Sequence, residues 1–403
     1  MYECIQNYLT KHIDEQNIYV KKCVSIIGSP LAAGQSLGGV NKACDNLRQL
    51  GLYDVIKAMG WKYNDIGNIG ESISINTFLN SANAEKGIKK EAEKEAEKGA
   101  KKEAEKEAEK GAKINGNESN YYSNIKNAQV IGKFSEQLFQ IMSSEIKKKN
   151  FILNIGGDHG VAFSSILATL QTYKNLKVIW IDAHGDINIP ETSPSGNYHG
   201  MSLAHVLGLF KKKVPHFEWS ENLLHLKPEN VAIIGIRDID KYEKIILKNC
   251  NINYYTMFDI DKKGIYNIIC EALNKIDPDQ NSPIHISLDI DSVDSIYAPG
   301  TGTIAKGGLN YREINLLMKS ISDTKRVVSM DIVEYNPLLD ENDKAVHGDS
   351  LPIDPNATKT GKLCLELIAR VLGNDIVTCA TEPTALLNYY FLKTSNYIKF
   401  VYN

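Results

Sequence analysis

The chain has 403 residues, 43% of them hydrophobic, so it can bury a large core. Its 46 basic and 49 acidic residues give a formal charge of −3, which excludes a global attraction to nucleic acid or acidic lipid. No run approaches the roughly 18 apolar residues that a membrane span needs, and the charged N-terminal segment lacks a signal-peptide core. The seven cysteines are scattered without a CxxC pair, as expected of reduced thiols. We therefore expect a soluble, cytoplasmic protein.

The first predicted element is a strand at 23–28, and a segment of different composition follows it. GIKKEAEKEAEK at Gly87 returns as GAKKEAEKEAEK at Gly99, and a third copy begins at Gly111. Like charges at i,i+4 and a glycine in every repeat weaken a helix, and the repeat has nothing bulky to bury. We therefore interpret residues 84–124 as a low-complexity Lys/Glu/Ala insertion that forms a flexible surface loop, in preference to a protein-binding helix.

Short apolar runs then alternate with helical stretches. The runs are rich in Val, Ile and Leu, as is typical of parallel strands buried on both faces. Predicted strands lie at 23–28, 151–155, 178–181, 231–235, 284–288 and 327–332, and predicted helices include 134–149 and 266–275. The alternation predicts one α/β domain over 1–403, with an open, mostly parallel sheet flanked by helices in three layers.

Acidic motifs follow three of these strands: GGDHG, DAHGDIN and SLDIDSVD. Each lies at the C-terminal end of a strand, where open α/β sheets place their ligands. Side chains at alternate positions point to the same side, so DAHGD and DID each aim their acidic and His residues together, while the glycines of GGDH permit a tight turn that lets His159 face inward. The candidate metal ligands are His159, Asp182, His184, Asp186, Asp289 and Asp291.

The ligand types indicate which metal binds. Four carboxylates with two imidazoles favour Mn(II) or a similar divalent ion over structural zinc. Six ligands are too many for one ion in a small site, whereas they suit two ions that share bridging carboxylates. A single carboxylate would be interpreted as a cap or turn residue, but the set predicts a dinuclear site.

With these motifs the chain resembles the arginases, members of the ureohydrolase family. The resemblance runs from 23 to about 337, interrupted by the insertion, and includes IIGSP at Ile26 and GQSLGGV at Gly34. It implies two Mn(II) ions per subunit, with Asp182 and Asp289 bridging. One ion would be bound by His159, Asp182, Asp186 and Asp289, and the other by His184, Asp182, Asp289 and Asp291. Abundant Asn, Lys, Ile and Tyr, with the charged insertion, indicate a malaria-parasite type of arginase.

The resemblance also implies the contacts to the substrate, L-arginine. A cationic guanidinium needs a carboxylate partner, and the family's other contacts are to the two α-substituents. The matching residues are Asn188, Ser195 and Asn197 for the α-carboxylate, Asp240 and Glu243 for the α-amino group, Glu334 for the guanidinium, and Thr303 in the wall of the site.

The implied reaction is hydrolysis of L-arginine to L-ornithine and urea by a hydroxide that bridges the metals. Asp186 would orient this hydroxide, take its proton and pass it to the departing amine, while His199 exchanges protons with solvent. Arginases are commonly trimers, so a homotrimer is expected. YRE at Tyr311 matches their interface segment, although an exposed helix start fits it equally well.

Three alternatives stay open. An agmatinase would share the metal motifs but lack the SGNxHG segment. A two-metal phosphoesterase would need a GNH-type segment and phosphate-binding groups, which the sequence does not show. A catalytically inactive interaction protein would not need the intact ligand set or Glu334, so their presence argues against it. The chain also departs from the arginase pattern, with Gly160, Gly185 and Ser202 where Ser, Thr and Pro are usual. These departures affect loop rigidity and not the ligands.

Six histidines are interpreted as surface or core residues: His12, His205, His216, His225, His285 and His347.

Overall fold

The computed structural model describes residues 17–70, 120–340 and 358–374. Within them, eight strands form one sheet in the order β2-β1-β3-β8-β7-β4-β5-β6, and every neighbouring pair is parallel. The strands are β1 (Lys21–Ser29), β2 (Lys62–Asn68), β3 (Asn150–Gly156), β4 (Lys177–Ile181), β5 (Val231–Ile236), β6 (Asn253–Thr256), β7 (Ile284–Asp289) and β8 (Val327–Val333). The predicted fold class is confirmed, and all six predicted strands are present.

Two strands were missed by the sequence interpretation, β2 and β6. They lie at the two edges of the sheet, and their residues are mostly half-buried or exposed. An edge strand needs no continuous apolar run, because it pairs with a neighbour on one side only. The central strands, by contrast, are buried along nearly their whole length.

Helices cover both faces of this sheet. They are α1 (Ala43–Gln49), α2 (Leu52–Ala58), α3 (Ala128–Lys147), α4 (Ala162–Thr172), α5 (Ser202–Val206), α6 (Lys241–Asn249), α7 (Met257–Lys263), α8 (Ile265–Ile276), α9 (Tyr311–Asp323) and α10 (Lys359–Val371). One group packs α3, α4 and α5 together, and a second joins α1 and α2 to α10, α9 and α8. The predicted helices correspond to α3 and α8.

The predicted insertion lies mainly outside the described residues, which resume at 120. Its last residues, 120–124, belong to the described part and contact the domain. Tyr122 is 7% exposed, its backbone N donates to the Lys213 carbonyl at 2.9 Å, and its hydroxyl donates to Glu191 at 2.9 Å. Residues 120–124 are therefore attached to the domain, and the prediction of a flexible surface loop for 84–124 otherwise falls on residues outside the described part. The aromatic side chain of Tyr122 is buried against the domain.

No helix in the described ranges has the length and apolar character needed to cross a lipid bilayer. The five cysteines in those ranges, Cys23, Cys44, Cys250, Cys270 and Cys364, are free thiols. They agree with the prediction that the cysteines are reduced, and Cys4 and Cys379 lie outside the described part.

Candidate metal centre

Four neighbouring strands, in the order β3-β8-β7-β4, deliver the central residues of the site to one edge of the sheet. His159 opens a 3-10 turn (His159–Val161) just after β3. Asp182 directly follows β4, Asp289 is the last residue of β7, and Glu334 directly follows β8. Because the strands are parallel, these residues from distant parts of the chain meet at the same end.

The first ligand cluster surrounds His159. Its Nδ1 lies 3.2 Å from Asp182 Oδ2, 3.0 Å from Asp186 Oδ2 and 3.3 Å from Asp289 Oδ2. All four side chains are buried. His159, Asp182 and Asp289 satisfy the distances expected of ligands to a common ion.

The second ligand cluster surrounds His184. Its Nδ1 lies 3.4 Å from Asp182 Oδ1 and 3.1 Å from Asp291 Oδ2. Asp182 thus turns one carboxylate oxygen to each cluster, as a bridging ligand must. Asp289 joins the first cluster by one oxygen, while its other oxygen, Oδ1, accepts a hydrogen bond from the Asp291 backbone at 2.9 Å.

The clusters fit divalent cations by their unpaired atoms and by their charge. His159 Nδ1 is fully buried and has three carboxylate oxygens around it, yet it makes no hydrogen bond. Burial and the neighbouring carboxylates raise the pKa of Asp186, Asp289 and Asp291. Buried carboxylates this close need compensating positive charge, and a set of hard oxygens with two imidazoles suits Mn(II)-like ions.

Two residues that the sequence interpretation did not select fix the orientation of the ligands. Ser287 Oγ lies 2.9 Å from His159 Nε2, so a hydrogen bond there holds the imidazole and leaves Nδ1 toward the carboxylates. The Trp180 ring stacks on His159 at a centroid distance of 4.0 Å, and its Nε1 donates to Asp182 Oδ2 at 2.9 Å. Partners of this kind set the tautomer and angle of metal-binding side chains. Strand alternation was the available signal, because each lies two residues before an Asp ligand.

The backbone is strained at two acidic residues of the site. Asp186 has φ 47° and Glu334 has φ 62°, in the left-handed region that side chains rarely adopt. Such strain persists where surrounding contacts enforce it, and it is common at functional sites. Glu334 directly follows β8, and Asp186 lies in the loop that follows β4.

Glu334 is the centre of a hydrogen-bond network beside the first cluster. Its Oε1 accepts from the His159 backbone at 2.9 Å and from His199 Nδ1 at 3.1 Å. Its Oε2 accepts from Gln35 Nε2 at 2.6 Å. Burial disfavours the charged form of His199, but contact with Glu334 outweighs this effect and raises the pKa of His199 to about 9. Gln35 was missed as a site residue, although it lies in the GQSLGGV motif.

Asn188, Asp240 and Glu243 form a connected group at one side of the site. Asn188 Nδ2 donates to Asp240 Oδ2 at 2.8 Å. Asp240 caps α6, and Glu243 completes the capping box by accepting from the Asp240 backbone at 3.1 Å. Burial, as the main cause, raises the pKa of Glu243 to about 7. The structure thus brings these three predicted residues together and shows that they also stabilise one another.

The remaining predicted residues lie at the mouth of the site. Ser195 is exposed, and its Oγ accepts from the Asn197 backbone at 3.2 Å. The Asn197 side chain lies near Ser36 Oγ, at 3.4–3.5 Å. Thr303 Oγ1 donates to Asp291 Oδ2 at 3.2 Å, so it contacts a candidate ligand directly.

Two of the departures from the arginase pattern lie in tight packing. A Cβ built on Gly160 would be 2.7 Å from Asp158 Oδ1, and one built on Gly185 would be 3.0 Å from Glu243 Oε1. Either position would need its neighbour to move before it could hold a side chain. Glycine at positions 160 and 185 therefore leaves the space that the Asp158 and Glu243 carboxylates occupy.

Two of the histidines assigned to the core are confirmed there. His205 is buried against Phe163 and pairs with the Tyr198 hydroxyl at 2.7 Å. His285 is buried between Ser329 Oγ at 2.7 Å and Asp331 Oδ2 at 3.2 Å. His12 and His347 lie outside the described residues.

The fold and these motifs match one known family. The arginase family model matches residues 22–351. The chain is 81% identical over 377 residues to a protein named arginase from Plasmodium berghei (strain Anka), covering 94% of this chain and 100% of that protein. It is 63% identical over 411 residues to an arginase from Plasmodium falciparum (isolate 3D7), with the same coverage of 94% and 100%.

Solved structures agree with this match. The crystal structure of arginase from Bacillus subtilis superimposes with a TM-score of 0.67 at 32% identity, covering 88% of this chain and 100% of that one. Arginase from Entamoeba histolytica in complex with L-ornithine gives a TM-score of 0.65 at 26% identity, with the same coverage of 88% and 100%.

Proposed function

The chain belongs to the arginase family of hydrolases, and on that premise we propose that it converts L-arginine to L-ornithine and urea at a centre of two Mn(II) ions per subunit. The identity to the two Plasmodium proteins bears out the malaria-parasite type expected from composition. The observation that carries the proposal is Asp182, which lies between two buried His/Asp clusters and turns one oxygen to each.

The proposed metal ligands are the six residues predicted from the sequence. When bound, the two ions would lower the pKa of a water molecule between them, which makes hydroxide available near neutral pH. Asp182 and Asp289 are the proposed bridges. Thr303 holds the position of Asp291 by its hydrogen bond to Oδ2.

Glu334 is the proposed partner of the substrate guanidinium. Its carboxylate is buried and remains charged, because its hydrogen bonds and the nearby histidines lower its pKa despite burial. A buried, ionised carboxylate binds a planar cation strongly, and it would hold the guanidinium carbon beside the clusters. The ornithine complex of the Entamoeba relative is in keeping with a ligand of this size and charge.

Asp186 is the proposed proton carrier. Its position beside His159, 3.0 Å from Nδ1, places it at the edge of the first cluster. It would take the proton that the attacking water loses and deliver it to the departing amine as the C–N bond breaks. His199, whose pKa is raised to about 9, holds a proton at neutral pH and would exchange it with solvent.

Asn188, Ser195 and Asn197 are the proposed contacts to the α-carboxylate, with Asp240 and Glu243 near the α-amino group. Contacts to the α-carboxylate would favour arginine over agmatine, because agmatine has a guanidinium but no carboxylate. An agmatinase remains the second candidate, since it would need the same clusters and the same Glu334.

A substrate comparison tests the proposal. We expect the parent protein to release urea from arginine with a much higher kcat/KM than from agmatine. Asn197→Ala removes a hydrogen bond to a charged group, so it should reduce transition-state stabilisation for arginine by about 1.5–3 kcal/mol and lower kcat/KM accordingly. The kcat/KM for agmatine should change little. Glu334→Gln should impair both substrates. A parent that prefers agmatine, or an Asn197 variant that loses both activities equally, would leave only a generic ureohydrolase.

Two further proposals concern the whole protein. We propose a cytoplasmic location, which the free thiols of the described residues support. We also propose a homotrimer in which α9, beginning at Tyr311, lies at the interface. Tyr311 is 41% exposed, with its hydroxyl bonded to Glu366. Light scattering after size exclusion would measure the mass, and a monomer would rule the trimer out.

A further inference from the structure

Residues 120–127 form a strap along the mouth of the site. Its Lys126 backbone N donates to the Gly196 carbonyl at 2.9 Å, and Asn127 Nδ2 donates to the Ala33 carbonyl at 2.8 Å. Asn124 Nδ2 donates to the Pro190 carbonyl. The strap therefore contacts the loop that carries Ser195 and Asn197 on one side and the loop that carries Gln35 on the other.

The strap and the loop that carries Ser195 and Asn197, called the substrate loop below, approach each other closely at Gly196. This glycine has φ 68°, and a Cβ built on it would lie 2.4 Å from the Asn124 carbonyl oxygen. Both the backbone angle and the available space therefore exclude a side chain at position 196. This contact fixes the position of the next strap residues relative to Asn197.

Lys126 is the strap residue that points to the substrate loop. Its backbone is held by Gly196, while its side chain is exposed and its Nζ lies 3.4 Å from Asn197 Oδ1. Because the Lys126 backbone is fixed and its side chain is flexible, its ammonium group can contact any part of a bound ligand that also contacts Asn197. Its partner in the free protein is a neutral amide, which leaves its charge uncompensated by that contact.

The charges around Lys126 suggest a role for it in binding an anionic group. The charged residues assigned above to the site are carboxylates and histidines. Arg237, which directly follows β5, donates to the carbonyls of Asp291, Ser292 and Ala305, so its guanidinium is occupied. A cation beside Asn197 would favour the carboxylate end of an amino-acid substrate, because the carboxylates of the site repel a negative group.

We infer that Lys126 is a specificity-determining residue that attracts the α-carboxylate of the substrate and disfavours ligands without one. The inference rests on the proposed function, in which Asn197 contacts that carboxylate. Lys126 acts by charge and not by the reaction chemistry, so its effect should appear in the choice of substrate. Agmatine presents no carboxylate, and its cationic chain would gain nothing from an ammonium group at the mouth.

The size of the effect follows from exposure. A charge pair at an exposed position changes an affinity only about onefold to fivefold, whereas a hydrogen bond to a charged group changes it by more than about tenfold. Lys126 lies between these cases, since it is exposed in the free protein and would be partly covered by a bound substrate. A change in substrate preference of roughly threefold to tenfold is therefore expected.

The test is the ratio of kcat/KM for arginine to kcat/KM for agmatine, measured for the manganese-loaded protein at low ionic strength. Lys126→Met should lower this ratio about threefold to tenfold, and Lys126→Arg should preserve it. Lys133→Met, at an exposed lysine of α3, is the matched control and should leave it unchanged. Raising the salt concentration should reduce the difference between the parent and Lys126→Met, because salt screens exposed charges.

Two outcomes would overturn the inference. Equal losses for both substrates in Lys126→Met would show that the lysine only supports the strap, and an unchanged ratio would show that it has no role in selection. A parent that prefers agmatine would refute the proposed function separately, and the ratio would still report whether Lys126 affects selection.

Discussion

Replacing Gln35 with leucine should impair the reaction by releasing the Glu334 carboxylate. The Gln35 amide donates to Oε2 at 2.6 Å, whereas the other two donors, from His159 and His199, both contact Oε1. The substitution therefore removes the hydrogen bond that fixes the second oxygen. Leucine is close to glutamine in size, so the change removes the donor without opening a large cavity.

The magnitude follows from the burial of Glu334, which is 1% exposed. A hydrogen bond to a charged group contributes about 1.5–3 kcal/mol, and each 1.4 kcal/mol is about tenfold in rate. We therefore expect kcat/KM to fall roughly 10-fold to 100-fold. Arginine and agmatine should lose similar factors, because both present the guanidinium that Glu334 is proposed to bind.

Urea release measured against substrate concentration gives kcat/KM, and metal content by mass spectrometry shows whether the clusters survive. Gln140→Leu is the matched control, because Gln140 lies on the exposed side of α3 and makes only a 3.5 Å contact with Glu136. A Gln35→Leu variant with parental metal content and a kcat/KM within about twofold of the parent would refute the reasoning.

Two other predictions concern the metals and the insertion. Asp289→Asn weakens a proposed bridging carboxylate, so the variant should lose one of about two Mn(II) ions per chain and nearly all urea release; unchanged metal content would refute the dinuclear assignment. Deleting 87–113 should leave folding and urea release close to parental, because the segment has no apolar face and loop length costs only about 0.6 kcal/mol per doubling. An insoluble or inactive deletion variant would show that the insertion is structural.

The candidate metal ligands could be selected from the sequence because local patterns coincide there. Apolar runs mark buried strands, parallel sheets gather strand ends at one edge, and alternation directs every second side chain the same way. Asp182 and Asp289 satisfy all three patterns, His159 follows a strand through a turn, and the structure brings the three within reach of one ion. The roles of the substrate residues came from family resemblance, since exposed polar residues such as Ser195 have no periodic pattern.

Contacts between distant segments could not be predicted, because no local pattern records them. Gln35 and Glu334 are separated by 299 positions and meet only because β1 and β8 flank β3 in the sheet. Lys126 lies just after the segment 84–124 that was interpreted from its composition as a loop, and Tyr122 within that segment is buried on the domain.

The sequence by itself determined the fold class, the six central strands and the types of the candidate ligands, since these depend on periodicity and on the chemistry of single residues. The order of the strands, the edge positions of β2 and β6, and the left-handed backbone of Asp186 and Glu334 were decided only by the tertiary structure. Their physical reason is shared. Each depends on which surfaces pack together and on the strain that this packing can hold, and packing energy is a property of the assembled sheet and helices.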